Sequence, residues 1–145
     1  MIILDTNVFS TLMSSVPDRH VVAWLDKQPQ ISLWTNSVTV LEIRYGLQIM
    51  PAGKRRAALI GAFDNVLTNM LEGRIAPFDD AAAREASDLM AVRHKRGRPV
   101  DLRDTMIAGI ALACHATLAT RNIAHFDDLS VPVINPFTPS EATHI

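Results

Sequence analysis

The chain has 145 residues, of which 48% are hydrophobic and 20% charged, with a formal net charge of −1 and a single cysteine, Cys114. That length suits one domain with a real core, and that balance argues against disorder and against a chain whose overall field gathers nucleic acid. One cysteine excludes an internal disulfide framework and suits a reducing cytoplasm; the most apolar run, 106–114, is too short to span a membrane.

Met1-Ile2-Ile3-Leu4 is an apolar run that stops on Asp5-Thr6-Asn7, which reads as a short buried strand leaving the sheet into a loop or a helix cap. No basic stretch or long apolar core precedes it, so no targeting signal is expected. Pro17-Asp18 opens a helix through Val21, Val22, Trp24 and Leu25, closed near Gln28-Pro29. Ile31 to Thr35 is a strand, after which Asn36 or Ser37 caps a helix carrying Val38, Leu41, Glu42, Tyr45 and Ile49 at helical spacing. Gly53 precedes a longer amphipathic helix with Leu59, Phe63, Val66, Leu67 and Met70 on one face, ended by Gly73. Ile75-Ala76-Pro77-Phe78 reads as an edge strand, because proline cannot donate to a central ladder. Asp79-Asp80 caps a helix with Ala83, Ala86, Leu89 and Met90 inward and Gly97 as its stop. Asp101 caps the next, through Met106, Ile107, Ile110 and Ala113. Thr117 to Thr120 and Val131 to Ile134 are the last strands, and Asn135-Pro136-Phe137 begins the tail.

Strands alternating with helices predict a single α/β domain over 1–145, with a central parallel sheet flanked by helices on both faces. The pattern leaves the strand order open. In such a sheet, strand ends and the helix starts that follow them share one edge, where ligands collect. Asp5, Glu42, Asp104 and Asn122 all fall there. Each has a bland account beside the functional one. Asp5 is an ordinary cap, and Asp101 with Asp104 has the spacing of a reciprocal helix cap. Glu42 interrupts an apolar stretch, so its charge is either paired or bound to something. Three acids converging on one edge repel each other, and a cation relieves that repulsion. Carboxylates without a His or Cys cluster suit a hard ion, Mg²⁺ or in its place Mn²⁺, and metal-assisted phosphodiester hydrolysis is the matching reaction class. His20, His94, His115, His125 and His144 show no zinc-ligand spacing. Lys54-Arg55-Arg56 and Arg93-His94-Lys95-Arg96 with Arg98 read as solvated helix faces.

Leu4-Asp5-Thr6-Asn7-Val8 and Ser37-Val38-Thr39-Val40-Leu41-Glu42-Ile43-Arg44-Tyr45-Gly46 resemble the first two motifs of PIN domains. Asp104-Thr105-Met106-Ile107-Ala108-Gly109 and Thr120-Arg121-Asn122-Ile123-Ala124-His125-Phe126 resemble the third and fourth, and Ile134-Asn135-Pro136-Phe137 resembles the family's usual ending. The ordered set is similar in particular to the VapC and FitB toxins of type II toxin–antitoxin pairs. What that resemblance implies is a PIN-like fold and a Mg²⁺-dependent ribonuclease acting on RNA such as tRNA. Asp5 and Asp104 would be principal metal ligands and Glu42 would complete the cluster. Thr6 and Thr120 would orient water or phosphate, and Arg121 would contact a phosphate or form a structural ion pair. It further implies a homodimer, and a small VapB/FitA-like antitoxin that holds the enzyme inactive and carries it to operator DNA. Asn122 stands where some relatives have Asp. It can hold a metal-bound water but brings no charge; Asp127 or Asp128 could compensate, but after Phe126 they read as solvated loop residues. His125 reads as a local hydrogen-bonding group, and Trp24, Trp34 and Tyr45 as core or oligomer packing.

Two other readings stay open from the residues. One is a PIN-fold binding module without catalysis, acting in an antitoxin–operator complex, for which Asn122 and the near-neutral charge are the motives. The other is an aspartyl phosphotransferase, but the Asp-x-Asp of such enzymes is here Asp5-Thr6-Asn7.

Overall fold

The computed structural model describes residues 1–137 and Pro139; His144 therefore lies outside the described residues. Five strands form one sheet in the order β3-β2-β1-β4-β5, every neighbouring pair parallel. They are β1 (Ile2–Leu4), β2 (Leu33–Asn36), β3 (Ile75–Ala76), β4 (Thr117–Ala119) and β5 (Val133–Ile134). The helices are α1 (Thr6–Met13), α2 (Arg19–Asp26), α3 (Ser37–Ile49), α4 (Lys54–Asp64), α5 (Asp80–Lys95) and α6 (Leu102–Cys114). After β1 the chain adds strands on one side, then crosses to β4 on the other. The order therefore reverses between β1 and β4, the position at which open α/β sheets form a crevice.

Side chains alternate across a strand, so Ile3 and Leu4 face opposite layers. Leu4 packs with Val8, Phe9, Val21, Ile43, Leu47 and Phe63, from α1 to α4. Ile3 packs with Leu89, Ile107, Ile110, Leu118 and Phe126, mainly from α5 and α6. Helices thus cover both faces, as the alternation predicts. β3 lies at the sheet edge, and Pro77 cuts it short after Ala76.

The helix starts follow their local chemistry. Asp18, Asn36, Asp79 and Asp101 each cap a helix by accepting a backbone N–H through the side chain. Elsewhere the structure departs from the expected spans. Residues Gln30–Ser32 form a 3₁₀ turn, closed by Ser32 N–H on the Pro29 carbonyl at 2.9 Å, so β2 starts later than Ile31. The helix expected to run to Gly73 is α4 followed by a π-helical turn over Asn65–Met70, ending where Gly73 takes φ +71°. The last strand begins at Val133 instead of Val131, with the Pro132 carbonyl accepting from Leu118 N–H at 2.9 Å.

One facing assignment changes, and on α3 the structure selects between two apolar stripes. In α5, Ala82 is buried where Ala83 was the expected inward residue. In α3 the inward residues are Val38, Thr39, Ile43 and Leu47, while Leu41, Tyr45 and Ile49 stand 64–65% exposed as an outward stripe. Trp24 and Trp34 pack against the two core layers, whereas Tyr45 lies outside both. Among the described residues no helix is long and apolar enough to cross a membrane.

Candidate active site at the carboxyl edge of the sheet

Pairing of Leu4 with Ala119 places Asp5 and Thr120 side by side past the ends of β1 and β4, at the reversal of strand order. Asp5 is only 3% exposed. Its Oδ1 accepts from Thr6 N–H at 2.7 Å and its Oδ2 from the Thr120 hydroxyl at 2.7 Å, with Asn7 Nδ2 at 3.5 Å. These partners are neutral. Burial pushes the Asp5 carboxyl above its ordinary range; the hydrogen bonds from Thr120 and Thr6 oppose this, and the charges of Asp104 and Glu42 push it further up. Asp5 is thus both the cap of α1 and a buried carboxyl facing two more acids.

Glu42 projects from the second turn of α3. A hydrogen-bonded series leads to it from the sheet: Asn36 Nδ2 donates to the Leu4 carbonyl and to Thr39 Oγ1, and Thr39 Oγ1 lies 2.9 Å from Thr6 Oγ1. Thr6 Oγ1 in turn donates to Glu42 Oε1 at 3.1 Å. Arg103 Nη1 donates to the other oxygen, Glu42 Oε2, at 3.2 Å. Of the two readings of this charge, the structure provides the pairing. Asp104 sits in the first turn of α6, where its N–H bonds the Asp101 cap at 2.9 Å, and its Oδ2 lies 2.8 Å from His125 Nδ1. His125 therefore acts on a site acid, as a local hydrogen-bonding group.

The three acids share one edge, yet Glu42 and Asp104 are held on Arg103 and His125. Among the described residues no three His, Cys, Asp or Glu side chains form a ready metal-ligand group. The donors still suit a hard divalent ion in kind: all are carboxylates, and the buried Asp5 has no cation among its hydrogen-bond partners.

Both hydroxyls are hydrogen-bonded to carboxylates of the site. Thr120 Oγ1 donates to Asp5 and accepts from Asn122 N–H at 3.0 Å, while Thr6 serves Glu42. Both orient carboxylates. Arg121 forms no ion pair among the described residues; its guanidinium lies 3.9 Å over the Phe137 ring, and the Arg121 backbone N–H donates to Asn7 Oδ1 at 3.2 Å. Asn122 is exposed at the mouth of the site.

Two expectations about charge are corrected. Arg93 is not on a solvated face but 2% exposed, and Asp128 is not a solvated loop residue but its bidentate partner, at 2.9 and 2.8 Å. Asp127 pairs with Arg98 at 2.8 Å. Each aspartate is held by an arginine, Asp128 by Arg93 and Asp127 by Arg98. The sequence reading also missed Arg103 and Asn7. Arg103 gives no local signal, since its partner Glu42 is 61 residues away; Asn7 was legible as the second polar residue after Asp5.

Residues 2–131 match the family model described as the PIN domain. The chain is 41% identical over 140 residues to the VapC ribonuclease Y4jK of Sinorhizobium fredii, across 97% of this chain and 100% of that one. It is 32% identical over 137 residues to the toxin FitB of Neisseria gonorrhoeae, across 94% of this chain and 99% of that one. A solved structure of FitAB bound to an IR36 DNA fragment contains a chain that matches with a TM-score of 0.85 and 31% identity, covering 97% of this chain and 99% of that one. The match over nearly the whole chain shows the family: the chain belongs to the PIN-domain family, in the branch of the VapC and FitB toxins.

Proposed function

We propose that this chain is a divalent-metal-dependent ribonuclease, the toxin of a type II toxin–antitoxin pair. The observation that carries the reading is the buried Asp5 carboxylate, flanked by the charges of Asp104 and Glu42 and hydrogen-bonded only to neutral groups. The 41% identical relative named as a ribonuclease supports the reaction class. Asp5 and Asp104, with Glu42, would hold Mg²⁺ or Mn²⁺. Such an ion, when bound, offsets phosphate charge and makes water a nucleophile near neutral pH. Thr120 and Thr6 keep the Asp5 and Glu42 carboxylates oriented. Asn122 offers a neutral amide at the rim, able to hydrogen-bond a water or a phosphate oxygen. A carboxylate of the cluster takes the proton from the attacking water.

The partner-free chain incubated with tRNA is expected to cut it in Mg²⁺ or Mn²⁺ and to leave it intact in EDTA. Cleavage undiminished by EDTA would contradict the reading. The second reading, a binding module without catalysis, draws on the pairing of Glu42 and Asp104 with Arg103 and His125. It requires intact RNA at every metal concentration, so the same experiment separates the two.

The VapC and FitB likeness supports a small antitoxin as the inhibiting partner, with operator DNA reached through it, and a cytoplasmic setting. For the homodimer we point to Leu41, Tyr45 and Ile49, which form one exposed apolar stripe along α3. Tyr45→Glu is expected to shift the partner-free chain from dimer to monomer in light scattering. An unchanged dimer would exclude that face.

A further inference from the structure

Arg93 in the last turn of α5 and Arg98 just past that helix reach over the segment that follows β4. Arg93, buried to 2% exposure, forks onto Asp128: Nε donates to Oδ2 at 2.9 Å and Nη2 to Oδ1 at 2.8 Å. Nη2 also donates to the His125 carbonyl at 2.9 Å, and Nη1 to Thr105 Oγ1 at 3.3 Å. Arg98 adds bonds to Asp127 Oδ1 and to the Ala124 carbonyl, both at 2.8 Å. One guanidinium therefore touches Thr105, the residue after Asp104, and His125, whose ring lies against Asp104 Oδ2 at 2.8 Å.

Fold stability alone gives no reason for this pair. Desolvating two charges is costly, and apolar residues of similar volume often hold a fold as well or better. What an apolar pair lacks is the fork that fixes the 123–128 backbone relative to α6. Lysine, a point charge on a flexible stem, lacks it too.

We propose that the Arg93–Asp128 pair is a positioning device for the acidic edge. It sets the segment after β4 so that His125 meets Asp104 and the Asn122 N–H reaches Thr120. The effect on cleavage rests on the ribonuclease reading; the effect on the segment does not.

The test compares Arg93→Met, Asp128→Leu, the double variant and Arg93→Lys with the parent. Asp128→Leu strands the buried Arg93 charge, and Arg93→Met leaves Asp128 only Arg98, at 3.3 Å; each is expected to lower the melting temperature, and the double to recover it. Despite that recovery, the double is expected to show kcat down by about tenfold or more, the scale of a small misplacement of reacting groups, with KM little changed. Amide hydrogen exchange over 122–128 is expected to accelerate by a similar factor of about tenfold. A double with parental stability, kcat and exchange would overturn the proposal. Should the double fail to fold, Arg93→Lys decides: reduced kcat with faster exchange supports the role, and parental values of both overturn it. If the parent itself cuts no RNA, the ribonuclease reading fails and exchange alone decides the positioning role.

Discussion

Asp5→Asn is expected to leave the chain folded and to remove its RNA cleavage. The amide is nearly isosteric, and its oxygen can still accept from Thr6 N–H, the bond now made at 2.7 Å. The charge is what disappears. Loss of a principal charge-stabilising group typically costs about 10²–10³-fold in rate. Stability moves the other way. The folded Asp5 carboxyl titrates above its ordinary value of 3.8, chiefly through burial, so the folded state binds its proton more tightly than the unfolded chain does. A group shifted in that direction contributes stability below its unfolded value and loses it as the pH rises through the folded value. Wherever the folded Asp5 is ionised, its buried charge is therefore a burden that asparagine lacks. The variant is expected to melt at or above the parental temperature at pH 7, with the difference shrinking as the pH falls toward 3.8. Retained cleavage, or a melting temperature well below the parent's at pH 7, would contradict this.

Gly109→Ala is the second large effect, here on stability. Gly109 lies in the middle of α6, pressed against α5. A Cβ built there would stand 2.5 Å from the Ala82 carbonyl oxygen, 2.8 Å from Ala86 Cβ and 3.0 Å from Ala86 N. Two of those atoms are backbone, so no rotamer change relieves the contact and the helices must separate. Overpacking of that kind costs up to about 3 kcal/mol. The helix propensity of alanine over glycine returns about 1 kcal/mol. The net loss of about 2 kcal/mol corresponds to a fall of roughly 4–8 °C in melting temperature. An unchanged or raised melting temperature would mean that propensity, not packing, governs this position.

How much of this was legible follows from the range of the interactions involved. Caps are local, and Asn36, Asp79 and Asp101 could be found because the capping side chain and the helix start lie within a few residues. Asp5 was legible because an apolar strand ends on it abruptly. On α3 two apolar stripes exist, Val38–Ile43–Leu47 and Leu41–Tyr45–Ile49, and periodicity does not choose which meets the sheet. Packing chose the former. Arg93 looked like one cation in a basic run because Asp128 is 35 residues away, and only the tertiary fold brings the two together. The strand order depends likewise on crossovers that no local pattern encodes. The same limit applied to the site: its acids share an edge, as the α/β pattern implied, but the partners of Glu42 and Asp104 come from distant segments.

The central claim is that Asp5, Glu42 and Asp104 together gather a divalent cation at the carboxyl edge of the sheet. Calorimetric titration of the purified, partner-free chain with Mg²⁺ tests it most directly, alongside the double variant Asp5→Asn/Asp104→Asn. Saturable binding to the parent and none to the folded double variant is the predicted result. Equal Mg²⁺ binding by both chains would contradict it.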